Sequence, residues 1–233
     1  MATIRYSASS PVLILLLAAC AAGQARPPAE LDQALAKMEA VGKTFRSFQA
    51  NFTQKKYTLV LEEFDTPESG EFLYERAKDG SALLRQEVQK PASRILTISG
   101  GVATVYQPGV KQAQVVSLGR NKDKAEYLAL GLGQSPGRLR ESFVIEYKGT
   151  EALLGSPCWI LHLKPKSQAA AAYFSGITLW VKKSSGVPVQ EKLQEPNGDY
   201  LLVTFSNEKL NIAIPESKFE QKLPPGTDIQ RLQ

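Results

Sequence analysis

From Ser47 onward the chain is a succession of short segments in which apolar and polar residues alternate, parted by glycine, proline or Asn-Gly turns. A period of two means strands with one buried face, and many such strands must pair edge to edge. In residues 47–54 the alternation points Phe48, Ala50 and Phe52 the same way. Further strands are expected at 71–75, 83–88, 95–98, 102–106, 115–118, 143–147, 159–163, 177–181, 187–193 and 200–205. Turns such as Gly100-Gly101 and Asn197-Gly198 suit an antiparallel meander. A sheet of roughly ten strands curls.

Three segments break the two-residue period. From Ala29, the residues Leu31, Leu35, Met38, Val41 and Phe45 form a helical stripe. Residues 123–132 are very apolar and lack β-branched residues, which reads as a short helix. Ser135-Pro136-Gly137 opens another helical turn, with Ser135 as N-cap and Pro136 at the first helical position. The expected fold is mainly β with some α: an incomplete antiparallel β-barrel, a half-barrel, with short helices over its mouth. Hydrophobic residues at 43% and charged residues at 22% are globular values, so disorder is not expected.

The N-terminus fixes the compartment. Arg5 precedes a run of nine largely apolar residues, 11–19, too short to span a bilayer and right for an export signal. It ends in Leu17-Ala18-Ala19-Cys20, which resembles a bacterial lipobox, where the Cys20 thiol takes a diacylglycerol. Gly23-Gln24-Ala25 offers an ordinary signal-peptidase site instead, and its use would remove Cys20. Residues 1–19 (or 1–25) therefore read as the signal, 20–30 as a linker and 31–233 as one domain. Either way the chain is expected to leave the cytoplasm, anchored to a membrane if Cys20 is lipidated.

The residues argue against catalysis and against nucleic acid. The net charge of +5 is scattered over Lys55-Lys56, Arg138, Arg140, Lys164, Lys166 and Lys182-Lys183, with no Arg stripe carrying interleaved aromatics. With only Cys20 and Cys158 there is no disulfide framework. The single histidine, His162, excludes any metal site needing two, and it faces away from Trp159, Leu161 and Leu163. No Gly-x-Ser-x-Gly or phosphate-cradling loop occurs. No cofactor is implied, and the chain reads as a binding protein.

Several segments, in order, resemble the LolA family, periplasmic carriers of outer-membrane lipoproteins. These are residues 47–55 (Ser-Phe-Gln-Ala-Asn-Phe-Thr-Gln-Lys), 70–76 (Gly-Glu-Phe-Leu-Tyr-Glu-Arg), 99–108 with its Gly-Gly hairpin and Tyr-Gln-Pro, 161–166, and 203–211 followed by 224–229. The likeness spans about residues 31–230. It implies a half-barrel whose apolar cavity holds lipoprotein acyl chains, in a monomer without enzymatic activity. It also implies two partners, an inner-membrane lipoprotein-releasing complex and an outer-membrane acceptor. In that family the strand-end Arg is thought to hold a lid closed, a role that falls on Arg76. The chain departs from the pattern at Ala77, where the family has proline. A lipidated Cys20 would instead resemble LolB, the anchored acceptor of the same fold, and an envelope sensor or scaffold is a further alternative. By alternation the cavity residues are expected to be Phe48, Phe52, Phe72, Tyr74, Tyr106, Trp159, Leu161, Leu201, Val203 and Phe205, with Tyr127, Leu128, Leu130 and Leu132 on the lid.

Overall fold

The computed structural model describes residues 29–77, 79–118 and 131–232. The expected signal, Cys20 and residues 123–130 of the expected lid helix lie outside the described residues.

Helix α1, Ala29–Thr44, takes in Ala29 and Glu30, the last two residues of the expected linker. It is followed by β1 (Ser47–Thr58), the two-residue β2 (Glu63–Phe64), β3 (Glu68–Arg76), β4 (Ala82–Lys90), β5 (Arg94–Ser99), β6 (Val102–Gln107) and β7 (Gln112–Ser117). After the break come α2 (Pro136–Ser142), β8 (Phe143–Leu153), β9 (Ser156–Pro165), α3 (Gln168–Ala171), β10 (Gly176–Lys182), β11 (Pro188–Gln194), β12 (Tyr200–Leu210) and β13 (Asp228–Leu232). As the sequence indicates, Ser135 caps α2: its hydroxyl accepts from the Arg138 N–H at 3.3 Å, with Pro136 in the first turn.

All strands join one open sheet in the order β13-β7-β6-β5-β4-β3-β1-β12-β11-β10-β9-β8, with β2 a side pairing on β1. Most neighbours are hairpin-connected, as a meander requires. Two pairings are not local. The first strand sits in the middle, antiparallel to β12, with Phe52 opposite Phe205 and Gln54 opposite Val203. At the far edge β13 lies parallel to β7, with Asp228 opposite Gln112. The chain between β12 and β13 crosses the convex side, where Phe219 is buried and Arg85 Nη1 reaches the Lys218 carbonyl at 3.5 Å.

The concave face carries two apolar clusters. One gathers Phe45, Phe48, Phe52, Phe72, Tyr74, Leu84, Val88, Ile98, Val203 and Phe205 from the centre and the β3–β5 side. The other places Leu31, Ala34, Leu35 and Met38 of α1, with Leu139 of α2, in one cluster with Trp159, Leu161, Leu163, Ile177, Leu179 and Val181 of β9 and β10. Each large side chain so buried contributes about 1.5–3 kcal/mol.

Candidate functional site: the concave face

The centre of the concave wall is aromatic because β1, β3 and β12 each place phenylalanine at an inward position. Ring centroids of Phe48 and Phe205 are 5.5 Å apart, Phe72 and Phe205 5.3 Å, and Phe48 and Phe72 6.2 Å. Phe45, just past α1, lies 5.8 Å from Tyr74. Such tilted and edge-on pairs hold their geometry and offer a smooth apolar surface. Phe48, Phe52, Phe72, Tyr74, Val203 and Phe205 thus stand in one cluster, and Leu201, partly buried, packs against it.

The other expected cavity residues fall elsewhere. Trp159 and Leu161 belong to the second cluster, beneath α1. There the Trp159 indole N–H donates to Glu30 Oε2, and Lys183 Nζ lies 3.0 Å from the same oxygen. The Trp159 bond and then the Lys183 bond hold the Glu30 carboxyl below the usual carboxylate range. This part of the wall is occupied in tying down a helix. Tyr106 is buried but belongs to neither cluster. It pairs with Ile95 and Ala113. Ala103, three residues earlier on the same strand, packs on the first cluster, so alternation turns Tyr106 to the opposite face.

A short loop covers the seam between the clusters. Leu132 is fully buried in the first cluster. Gly133 has φ 63°, and a Cβ there would lie 2.2 Å from ring atoms of Phe45, so this close approach requires glycine. Gly131, at φ 77°, sits over Leu179, Pro188 and Met38. Arg76 Nη2 donates to the Gly133 carbonyl at 2.9 Å, which ties the end of β3 to this loop. Tyr127, Leu128 and Leu130 lie outside the described residues.

Polar groups enter the concave face at one level. Gln86 Nε2 donates to Gln54 Oε1 at 2.8 Å, Gln54 Nε2 to Glu68 Oε2 at 2.6 Å, and Arg94 Nη2 to the same oxygen at 2.6 Å. Two strands from Gln54, on β11, Glu191 is 2% exposed. Its neighbours in register are Leu179 and Val203, and its Oε1 has no hydrogen-bond partner. Burial pushes its carboxyl well above the ordinary range. The sequence reading passed over Glu191. The signal was present, since Val187, Val189, Glu191 and Leu193 share one parity, but Gln-Glu-Lys in isolation reads as a solvated edge.

No catalytic set assembles among the described residues. His162 meets Thr178 at 3.2 Å on the convex side, and burial before all else lowers its pKa. The Cys158 thiol is buried, and burial pushes it up. Among the described residues no group of three or more His, Cys, Asp or Glu is placed to hold a metal ion, and no helix is long and apolar enough to cross a membrane.

An open sheet around an aromatic concavity with a loop over it invites comparison with carriers. The family model for the outer membrane lipoprotein carrier protein LolA matches residues 43–222. The chain belongs to the LolA family. An outer-membrane lipoprotein carrier protein of Pseudomonas fluorescens (strain Pf0-1) is 25% identical over 202 residues, covering 85% of this chain and 88% of that one. Its namesake in Azotobacter vinelandii (strain DJ / ATCC BAA-1303) is 26% identical over 220 residues, covering 93% and 96%. Among solved structures, an uncharacterized conserved protein from Thermus thermophilus superposes with TM-score 0.53 at 14% identity, covering 87% of this chain and 99% of that one. MucB superposes with TM-score 0.52 at 15% identity over 84% of this chain, which spans 64% of the MucB chain. These two show the same fold on chains of little sequence likeness.

Proposed function

We propose that this LolA-family protein binds the acyl chains of lipid-modified proteins on its concave face and carries them through the periplasm. The observation that supports this best is the phenylalanine wall of Phe48, Phe52, Phe72 and Phe205 on one side of an open sheet. An acyl chain in water exposes methylenes worth about 0.8 kcal/mol each, so a dozen of them bring about 10 kcal/mol into such a cavity. No step of this function needs a catalytic group. The cargo is taken from a releasing complex in the inner membrane and passed to an acceptor in the outer membrane.

Entry requires the wall to be uncovered. The loop 131–134 lies over it and is held by the Arg76–Gly133 hydrogen bond, by Leu132 in the first cluster and by the tight Gly133–Phe45 contact. In this reading Arg76 is the latch: acyl chains displace Leu132, the loop shifts, and cargo is retained when it returns. The test is binding of a fluorescent acylated peptide to wild type and to a Phe72→Asp/Phe205→Asp double variant, with hydrogen exchange at residues 131–134. Binding by wild type alone, with faster exchange at 131–134 in the loaded state, supports the reading. Equal binding by both proteins, each shown to be folded, removes it.

A further inference from the structure

Among the described residues, Glu191 is a buried carboxyl on the concave face with an unpartnered oxygen, and the acyl-chain reading leaves its chemistry unused. Its β11 neighbours Val189 and Leu193 are buried and share its side of the strand. Across the strand borders it meets Leu179 and Val203, both apolar. Gln54 stands on the same face beyond Val203, but Gln54 is engaged by Gln86 and Glu68. A carboxyl in this setting, 2% exposed and with Oε1 unpartnered, costs stability unless something bound supplies the missing partner. Its place matters as much. Gly131 of the covering loop lies against Leu179, the neighbour of Glu191, so the carboxyl sits by the seam that opens when the loop shifts.

We infer that Glu191 is a polar subsite inside the lipid cavity, a hydrogen-bond donor to an ester carbonyl of the acyl anchor. The inference rests on the acyl-binding reading and deepens it. Burial among apolar neighbours pushes the carboxyl well above the ordinary range, which favours the protonated form that carries an O–H, and among the described residues Oε1 meets no hydrogen-bond partner. An ester-linked acyl chain is the complement: its carbonyl accepts hydrogen bonds, has none to donate, and loses water as the chain is buried. A cationic group is a poorer fit, because pairing it with Glu191 would bring two charges into this apolar wall, its own and an ionised carboxylate, at more desolvation cost than one neutral hydrogen bond. Glu191 thereby sets how deep the chains slide, since the carbonyl marks where chain ends and headgroup begins.

The experiment compares two lipopeptides with the same peptide and chain length, one ester-linked and one ether-linked, the second lacking the carbonyls. Dissociation constants are measured at neutral pH for wild type, Glu191→Gln and Glu191→Leu. Wild type should favour the ester by about five- to tenfold, the range of one net hydrogen bond. Glu191→Gln, whose amide N–H still donates, should keep most of that preference. Glu191→Leu should lose it while binding the ether ligand at least as well as wild type. The change in the ester-to-ether ratio between wild type and Glu191→Leu isolates the contact. A ratio near one in wild type, or an unaltered ratio in Glu191→Leu, overturns the subsite and leaves the acyl reading standing. Failure of wild type to bind either ligand overturns both. Should Glu191→Leu not fold, the infrared stretch of an isotope-labelled ester carbonyl decides: a shift to lower frequency in wild type that matches Glu191→Gln supports the bond, and a band unchanged from apolar solvent refutes it.

Discussion

The two halves of the concave face are built from the same kind of strand and differ in what covers them. Over β9 and β10 the roof is α1, sixteen residues long, with Leu31, Ala34, Leu35 and Met38 buried and Glu30 clamped by Trp159 and Lys183. Over β1, β3 and β12 the described cover includes the loop 131–134, held by Leu132, one Arg–carbonyl bond and the Gly133–Phe45 contact, beside Val41 at the end of α1. The first roof buries four apolar side chains at once, worth several kcal/mol, whereas the described loop sets one, Leu132, into its cluster. A wall that is sealed contributes stability. A wall that is only lightly covered can exchange its cover for cargo. The aromatic rings concentrate in the second half, where the loss of the loop would leave them wet.

This contrast is easiest to break by truncating one residue from each half. Leu161→Ala, under α1, should destabilise the fold by about 2–5 kcal/mol in denaturant unfolding. Acyl-probe affinity per folded molecule should be unchanged. Phe205→Ala should cost about 3–5 kcal/mol and also weaken the probe. Equal effects on affinity at both positions would erase the distinction between the halves.

The latch is expected to be worth less. Arg76→Leu removes the donor to the Gly133 carbonyl and should accelerate hydrogen exchange at 131–134, with a global loss of about 1–3 kcal/mol or less. Cargo release should quicken more than uptake slows. Unaltered exchange in that loop would show that Leu132 and the Gly133–Phe45 contact hold it alone.

Glu191 gives a pH signature with a definite sign. Its folded-state pKa is raised by burial above the unfolded value of about 4.3. Between those values the folded state binds the extra proton, so its contribution is present in full below about pH 4 and is lost as pH climbs toward the folded pKa. Among the described residues no charged group faces it in register, since Leu179 and Val203 flank it; on that face Glu68 is already engaged by Arg94 and Gln54. Glu191→Gln should therefore gain stability relative to wild type from pH 4 to pH 8. A difference that is flat across that range would mean the carboxyl is solvated.

The smallest effect belongs to the clamp. Trp159→Phe keeps the ring and loses the N–H to Glu30, a cost of about 0.5–1.5 kcal/mol, with no change in cargo affinity. Separately, the mass of the mature N-terminus decides between an anchored and a free carrier: a diacylglyceryl-modified Cys20 makes it tethered, and an unmodified chain beginning at Arg26 makes it a shuttle.

The period-two pattern located nearly every long strand, because one face of each is buried and the other is wet. It could not place β1 between β3 and β12, since that pairing spans most of the chain and leaves no local trace. The strand β13 was missed for a related reason: Asp-Ile-Gln-Arg-Leu is exposed throughout and is held by its ladder to β7 rather than by a buried face. Alternation put Phe48, Phe52, Phe72 and Phe205 on one face, and the structure gathers them in one cluster. The same alternation assigned Tyr106 to the wall because period two fixes which residues share a face, and not which face is concave. Trp159 and Leu161 have the right parity, but whether a helix roofs them is a tertiary matter. Glu191 hid in plain parity behind its charge.

The central claim is that the phenylalanine wall holds acyl chains. The most direct measurement is photocrosslinking with a lipopeptide whose acyl chain carries a diazirine near its end, followed by mass-spectrometric mapping. The account predicts adducts on Phe48, Phe52, Phe72 and Phe205 and on residues 131–134, all lost on competition with unlabelled lipopeptide. Adducts confined to the convex side, or none that unlabelled lipopeptide competes away, would contradict it.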